Sequence, residues 1–105
     1  MATLSIRDIK SKISPICNRY DVEKAYLFGS YARGEATEES DVDIRIDKGK
    51  SQKLRGLFDV SGFQLALMDA LGKDVDLITT LPEQELYSIF RKRMEKEEVL
   101  IYESE

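Results

Sequence analysis

The sequence predicts an α/β (α+β) domain, a mixed β-sheet of three to four strands covered by helices. Three observations carry that prediction. Apolar residues recur at three- and four-residue steps in three stretches, the period of a helix. Between them lie short segments of strand character, alternating or wholly apolar, bounded by turn residues. The resulting order is helix, strand, helix, strand, helix, strand, helix and a last short strand. A chain of 105 residues suits one such domain, residues 1–105, with a modest core.

The elements follow in turn. Ile6, Ile9, Ile13, Ile16, Cys17 and Tyr20 make one apolar stripe on a first helix. Pro15 is expected to kink or divide it near Ser14, and Asp21 to end it. Ala25 to Phe28 reads as a buried strand closed by Gly29. Ser30 is placed to N-cap a brief helix that runs through Arg33 and ends near Gly34. After the polar loop from Glu35 to Ser40, the stretch Asp41 to Asp47 alternates. Asp41, Asp43 and Arg45 fall on one face and Val42, Ile44 and Ile46 on the other, a half-buried strand with a charged exposed face. Lys48-Gly49-Lys50 makes a turn. Leu54, Leu57, Phe58, Leu65, Met68 and Leu71 then suit one helical face, which Gly56 and Gly62 weaken and could divide. Gly72 caps that helix, Val75 to Thr79 forms a strand, and Pro82 opens a last helix with Leu86, Ile89, Phe90 and Met94. Val99 to Tyr102 adds the short terminal strand.

Composition excludes several classes. Apolar content of 42% and charged content of 34% are ordinary for a globular chain and wrong for a disordered one. No apolar run is long enough to cross a bilayer, no secretory signal stands at the N-terminus, and a lone Cys17 cannot form an internal disulfide. A cytoplasmic protein with no membrane partner is expected. The formal charge of −4 argues against direct gripping of nucleic-acid backbone. The basic cluster Lys48, Lys50, Lys53 and Arg55 reads as a solvated loop and helix start. Homo-oligomerisation is left open.

The chemistry concentrates in Gly29-Ser30 and Asp41-Val42-Asp43. Two carboxylates at i and i+2 of a strand project the same way and repel unless a cation sits between them. Magnesium suits such a site because it takes carboxylate and phosphate oxygens together. Two ions held this way can position a nucleoside triphosphate, activate a hydroxyl and stabilise leaving pyrophosphate. A third carboxylate is wanted. Asp76, a charge between apolar residues expected to be buried, is the best candidate, and Asp74 the weaker one. Gly29 lets backbone approach a phosphate, and the helix start with the Ser30 hydroxyl offers donors. Arg33 and Arg45 are candidate neutralisers of the triphosphate.

Leu27-Phe28-Gly29-Ser30-Tyr31-Ala32-Arg33-Gly34-Glu35 followed by Ser40-Asp41-Val42-Asp43-Ile44 resembles the signature of the minimal nucleotidyltransferases. These belong to the DNA polymerase beta-like superfamily. The resemblance continues through Gly72-Lys73-Asp74-Val75-Asp76-Leu77-Ile78 and covers nearly the whole chain. It implies a nucleotidyltransferase fold and transfer of a nucleoside monophosphate, with ATP as donor and magnesium, of which two ions are expected. On that resemblance Gly29 and Ser30 would bind the nucleotide's phosphates, and Asp41, Asp43 and Asp76 would be catalytic and hold metal; Arg33 joins the nucleotide-binding candidates as a charge neutraliser. It further implies an antitoxin that attaches AMP to a tyrosine of a helical HEPN-type toxin. Arg45 departs from the pattern, which has an apolar residue there, and could pair with Asp43 or meet a phosphate. The alternative function is a non-catalytic antitoxin that neutralises its partner by occlusion. The alternative for the residues is a set of solvated acids beside a strand-to-helix turn, with Arg33 paired to Glu35.

Overall fold

A computed structural model describes residues 4–79 and 98–104. The first helix, α1 (Ile6–Arg19), starts where Ser5 and Asp8 satisfy one another. The Asp8 N–H donates to Ser5 Oγ at 3.0 Å and the Ser5 N–H to Asp8 Oδ2 at 3.2 Å, which accounts for two otherwise orphaned donors. It ends on Asp21, held in the left-handed region at φ 56°. There the Val22 N–H reaches Cys17 O at 3.0 Å and the Asp21 N–H reaches Asn18 O at 3.2 Å, closing the last turn. Pro15 does not divide the helix as the sequence led us to expect. It sits on the exposed side, one turn beyond an equally exposed Ser11. Only the hydrogen bond to the Ser11 carbonyl is lost, on the exposed side, while buried Ile13, Ile16 and Cys17 hold the helix down.

Among the described residues four strands form one mixed sheet: β1 (Lys24–Phe28), β2 (Val42–Asp47), β3 (Val75–Thr79) and β4 (Val99–Glu103), in the order β3-β2-β1-β4. β1 is antiparallel to β2 and β4, whereas β2 and β3 are parallel and joined by a helical crossover. The alternation of β2 puts Val42, Ile44 and Ile46 into a core shared with Ala25, Leu27, Val75 and Ile101, and with Ile9 and Ile13 of α1. The expected mixed sheet of three to four strands with helices is therefore present. The helix expected from Pro82 through Met94 lies outside the described residues.

α2 (Gly29–Arg33) follows β1 directly, and α3 (Leu57–Leu71) is one helix with Gly56 as its N-cap and a left-handed Gly72 after its end. Two expectations for α3 fail. Gly62 does not break it, because the neighbouring Phe63 is anchored edge-to-face on the Tyr20 ring with centroids 5.1 Å apart. Its buried stripe is Phe63, Leu67 and Leu71, while Leu57, Phe58 and Leu65 stand 85%, 95% and 63% exposed. Apolar residues occur on all sides of this helix, so spacing alone did not choose between two stripes. The basic cluster serves the preceding loop, with Lys48 Nζ on Leu54 O at 3.1 Å and Lys53 Nζ on Arg19 O at 3.0 Å.

Candidate active site

The site assembles where β1 runs out, β2 begins and β3 lies beside it. Gly29 leaves β1 at φ +74°, a conformation side chains disfavour, and a Cβ there would run into the Asp43 carboxyl. Glycine is thus demanded by a carboxylate as well as by a turn. Phe28, not Ser30, is the N-cap of α2, and no side chain caps it. Ser30 is instead the second helical residue, half-buried, and its carbonyl accepts the Glu35 N–H at 2.9 Å.

Asp43 stands in register with Asp76 across the parallel β2–β3 pair. A side-chain hydrogen bond with Asp76 favours the protonated form of Asp43. Burial first, then that hydrogen bond and the charges of Asp76 and Asp41, push the Asp43 carboxyl up to about 6, with Arg33 opposing. Asp76 itself is exposed on an edge strand, not buried as expected. Among the described residues β3 is an edge strand, and the pleat turns the flanking Val75 and Leu77 toward the core and Asp76 to the opposite face.

Asp41 lies just before β2 and is exposed. It lines an open cleft of about 580 Å³ together with Glu38, Asp69, Lys73 and Asp74, walled on one side by Leu65 and Met68 of α3. Asp74 lines the same cleft, and its carbonyl accepts the Val42 N–H at 3.0 Å. Arg33 Nε donates to Glu35 Oε2 at 3.0 Å at an exposed position, while its charge still reaches Asp43. Arg45 departs most from expectation. It is 4% exposed, its Nη2 lies 2.7 Å from Glu98 Oε2, and its guanidinium sits 4.3 Å from the centre of the Tyr26 ring. Glu98 is distant in sequence, so spacing could not reveal it as the partner. The charged face of β2 is therefore charged, but at Arg45 it is closed.

The donor set fits a hard divalent cation. All its atoms are oxygens, and a cation beside Asp43 would offset the burial and the neighbouring acidic charges that push its carboxyl up to about 6. Among the described residues, no three acidic, His or Cys side chains close on one point. The fold pre-forms a pair, with Asp41 at its margin. That still matches magnesium, which keeps waters and takes one or two carboxylates plus substrate phosphates. Cys17 is no competitor, since burial pushes its thiol up to about 12.

The family model described as polymerase beta, nucleotidyltransferase matches residues 11–105. The protein adenylyltransferase MntA of Thermococcus cleftensis is 37% identical over 82 residues, 74% of this chain and 80% of that one. A Methanocaldococcus jannaschii protein named as a candidate protein adenylyltransferase is 41% identical over 76 residues, 72% of this chain and 78% of its own. A structure of a candidate minimal nucleotidyltransferase superposes with TM-score 0.68 at 26% identity, over 91% of this chain and 95% of that one. A toxin–antitoxin crystal structure with AMP-PNP gives TM-score 0.70 at 21% identity, over 91% and 74%. A tri-AMPylated Shewanella oneidensis HEPN toxin in complex with an MNT antitoxin gives 0.65 at 19%, over 94% and 73%. The match across nearly the whole chain, on a mixed sheet that brings Gly29, Asp43 and Asp76 together, places this protein in the polymerase beta nucleotidyltransferase family, as an enzyme of the minimal nucleotidyltransferase type.

Proposed function

We propose that this nucleotidyltransferase is a cytoplasmic antitoxin that moves AMP from ATP to a tyrosine hydroxyl of a HEPN-type toxin partner. The observation that carries the catalytic part is the Asp43–Asp76 pair set against the Gly29 turn. Support for a protein acceptor comes from the relatives named protein adenylyltransferases and from the fold's likeness to toxin–antitoxin complexes. The exposed Leu65 also borders the cleft at Asp41, and it continues into exposed Leu57 and Phe58. An apolar helix face of this kind suits cover by a macromolecule.

Asp43 and Asp76, with Asp41, would hold magnesium, as two ions when the triphosphate is present. Bound there, the metal would offset phosphate charge and favour ionisation of the attacking hydroxyl. The chain's own groups do the rest. Gly29 lets backbone come close to the triphosphate, Ser30 adds a hydroxyl, and Arg33 faces the same negative charge. Asp76, open to solvent, is the carboxylate an incoming hydroxyl meets, and it takes the hydroxyl proton. The tyrosine oxygen then bonds to the α-phosphorus as the bond to pyrophosphate breaks.

The test is incubation with α-labelled ATP, magnesium and a HEPN-type partner protein. Label should appear on a partner tyrosine, and Asp43→Asn should slow its appearance by at least about 100-fold. A partner that stays unlabelled yet is still neutralised by Asp43→Asn protein would replace catalysis by occlusion.

A further inference from the structure

Lys73, between α3 and β3, reaches across to the loop that leads into β2. Its Nζ donates to Ser40 O at 3.1 Å and to Glu38 O at 2.7 Å, and it lies 5.9 Å from the centre of the Tyr31 ring. Ser40 O belongs to the planar peptide that joins Ser40 to Asp41, so Lys73 grips the bond on which Asp41 is mounted. On the far side of Asp41, the Val42 N–H is held by Asp74 O at 3.0 Å. Both grips come from residues 73 and 74, and Asp76 stands three residues beyond Lys73 on the same stretch. One short segment therefore holds Asp41 from both sides while presenting Asp76.

Within the loop the Thr37 N–H donates to Ser40 Oγ at 2.9 Å and the Glu39 N–H to Thr37 Oγ1 at 3.3 Å, and the two grips from residues 73 and 74 tie it to the next stretch of chain. Asp41 itself lies outside the ladder, which begins at Val42. Five acidic residues, Glu38, Glu39, Asp41, Asp69 and Asp74, share the cleft with Lys73, so its charge also eases their mutual repulsion.

We propose that Lys73 is a positioning residue that fixes Asp41 beside the Asp43–Asp76 pair and so turns a two-carboxylate site into a three-carboxylate one. This rests on the metal-binding reading of the three aspartates. Ligand-orienting partners of this kind change metal affinity by about 10- to 100-fold when removed.

The experiment measures Mn2+ binding to the free protein by electron paramagnetic resonance, without nucleotide or partner, at a temperature where every variant is folded by circular dichroism. Lys73→Met keeps the aliphatic stem and removes the donors, and should weaken Mn2+ about tenfold. Lys73→Arg, which can still bridge two carbonyls, should restore most of the affinity. Asp41→Asn should also weaken binding. Adding Lys73→Met to it should then cost nothing more, because the lysine works through Asp41. If Lys73→Met does not fold, Lys73→Gln carries the same comparison. Affinity unchanged by the lysine variant, or losses that multiply in the double variant, overturn the inference. A control separates the two readings. Mn2+ binding indifferent to Asp43→Asn sinks the metal site and the inference with it. Binding that depends on Asp43 but not on Lys73 sinks the inference alone.

Discussion

Asp43 carries the tension of the site in a single side chain. Its carboxyl is raised from an ordinary 3.8 to about 6 by burial and by Asp76. Between those values the folded protein holds more protons than the unfolded chain, so stability from this group is full below about pH 4 and is lost as pH climbs through about 6. In chelator, melting curves should show wild type losing ground to Asp43→Asn across that window, because the amide stays neutral throughout. A gap that does not change with pH would refute this. Gly29 is tied to the same carboxyl. Gly29→Ala meets both the positive φ and the Asp43 oxygens, and should cost about 1–3 kcal/mol in urea denaturation while weakening Mn2+ binding. Arg45 belongs to a different account. Breaking its nearly buried pair with Glu98 by Arg45→Met strands a carboxylate, and should cost about 3–5 kcal/mol in the same measurement.

At the scale of the elements, α1 and α3 show two ways of resolving ambiguous local signals. The Ser5–Asp8 box and the Asp21 close fix both ends of α1, so Pro15 is absorbed on its solvent side. Ser5→Ala should lower stability by about 1 kcal/mol. In α3 the choice of stripe is an energetic statement that can be measured. Leu67→Ala removes a fully buried side chain and should cost about 2–5 kcal/mol, whereas Leu65→Ala, 63% exposed, should stay within about 0.5 kcal/mol. Equal losses at the two positions would mean that α3 buries the other face. The strands were more legible. Period-two alternation in β2 and the apolar runs of β1 and β3 have few competing readings, and a one-residue slip would turn the whole core face outward.

For the whole molecule, topology converts scattered letters into one site. Asp43 and Asp76 are far apart in the chain, and the parallel crossover through α3 places them side by side. Among the described residues no helix is long and apolar enough to cross a membrane. The surface we propose for a partner runs from the carboxylates along the cleft to the exposed face of α3. If a toxin partner docks there, Phe58→Glu with Leu65→Glu should reduce its labelling at least about tenfold in kcat/KM. ATP-dependent Mn2+ binding should be unchanged, as a pulldown paired with the resonance assay would show.

The sequence by itself determined the class of fold and the order of the described elements, and it nominated the candidate residues for the chemistry. Those depend on periodicity, turn residues and side-chain type, which are local properties of the chain. It also named Gly29, Asp41, Asp43 and Asp76, because the signature is a string. Only the tertiary structure decided how they stand. It made Asp76 open at an edge, closed Arg45 against Glu98 and Tyr26, and passed the capping of α2 from Ser30 to Phe28. It also brought Lys73 onto the peptide of Asp41. Each of these depends on which strand lies beside which, and sheet neighbours are set by long-range packing that no local pattern encodes.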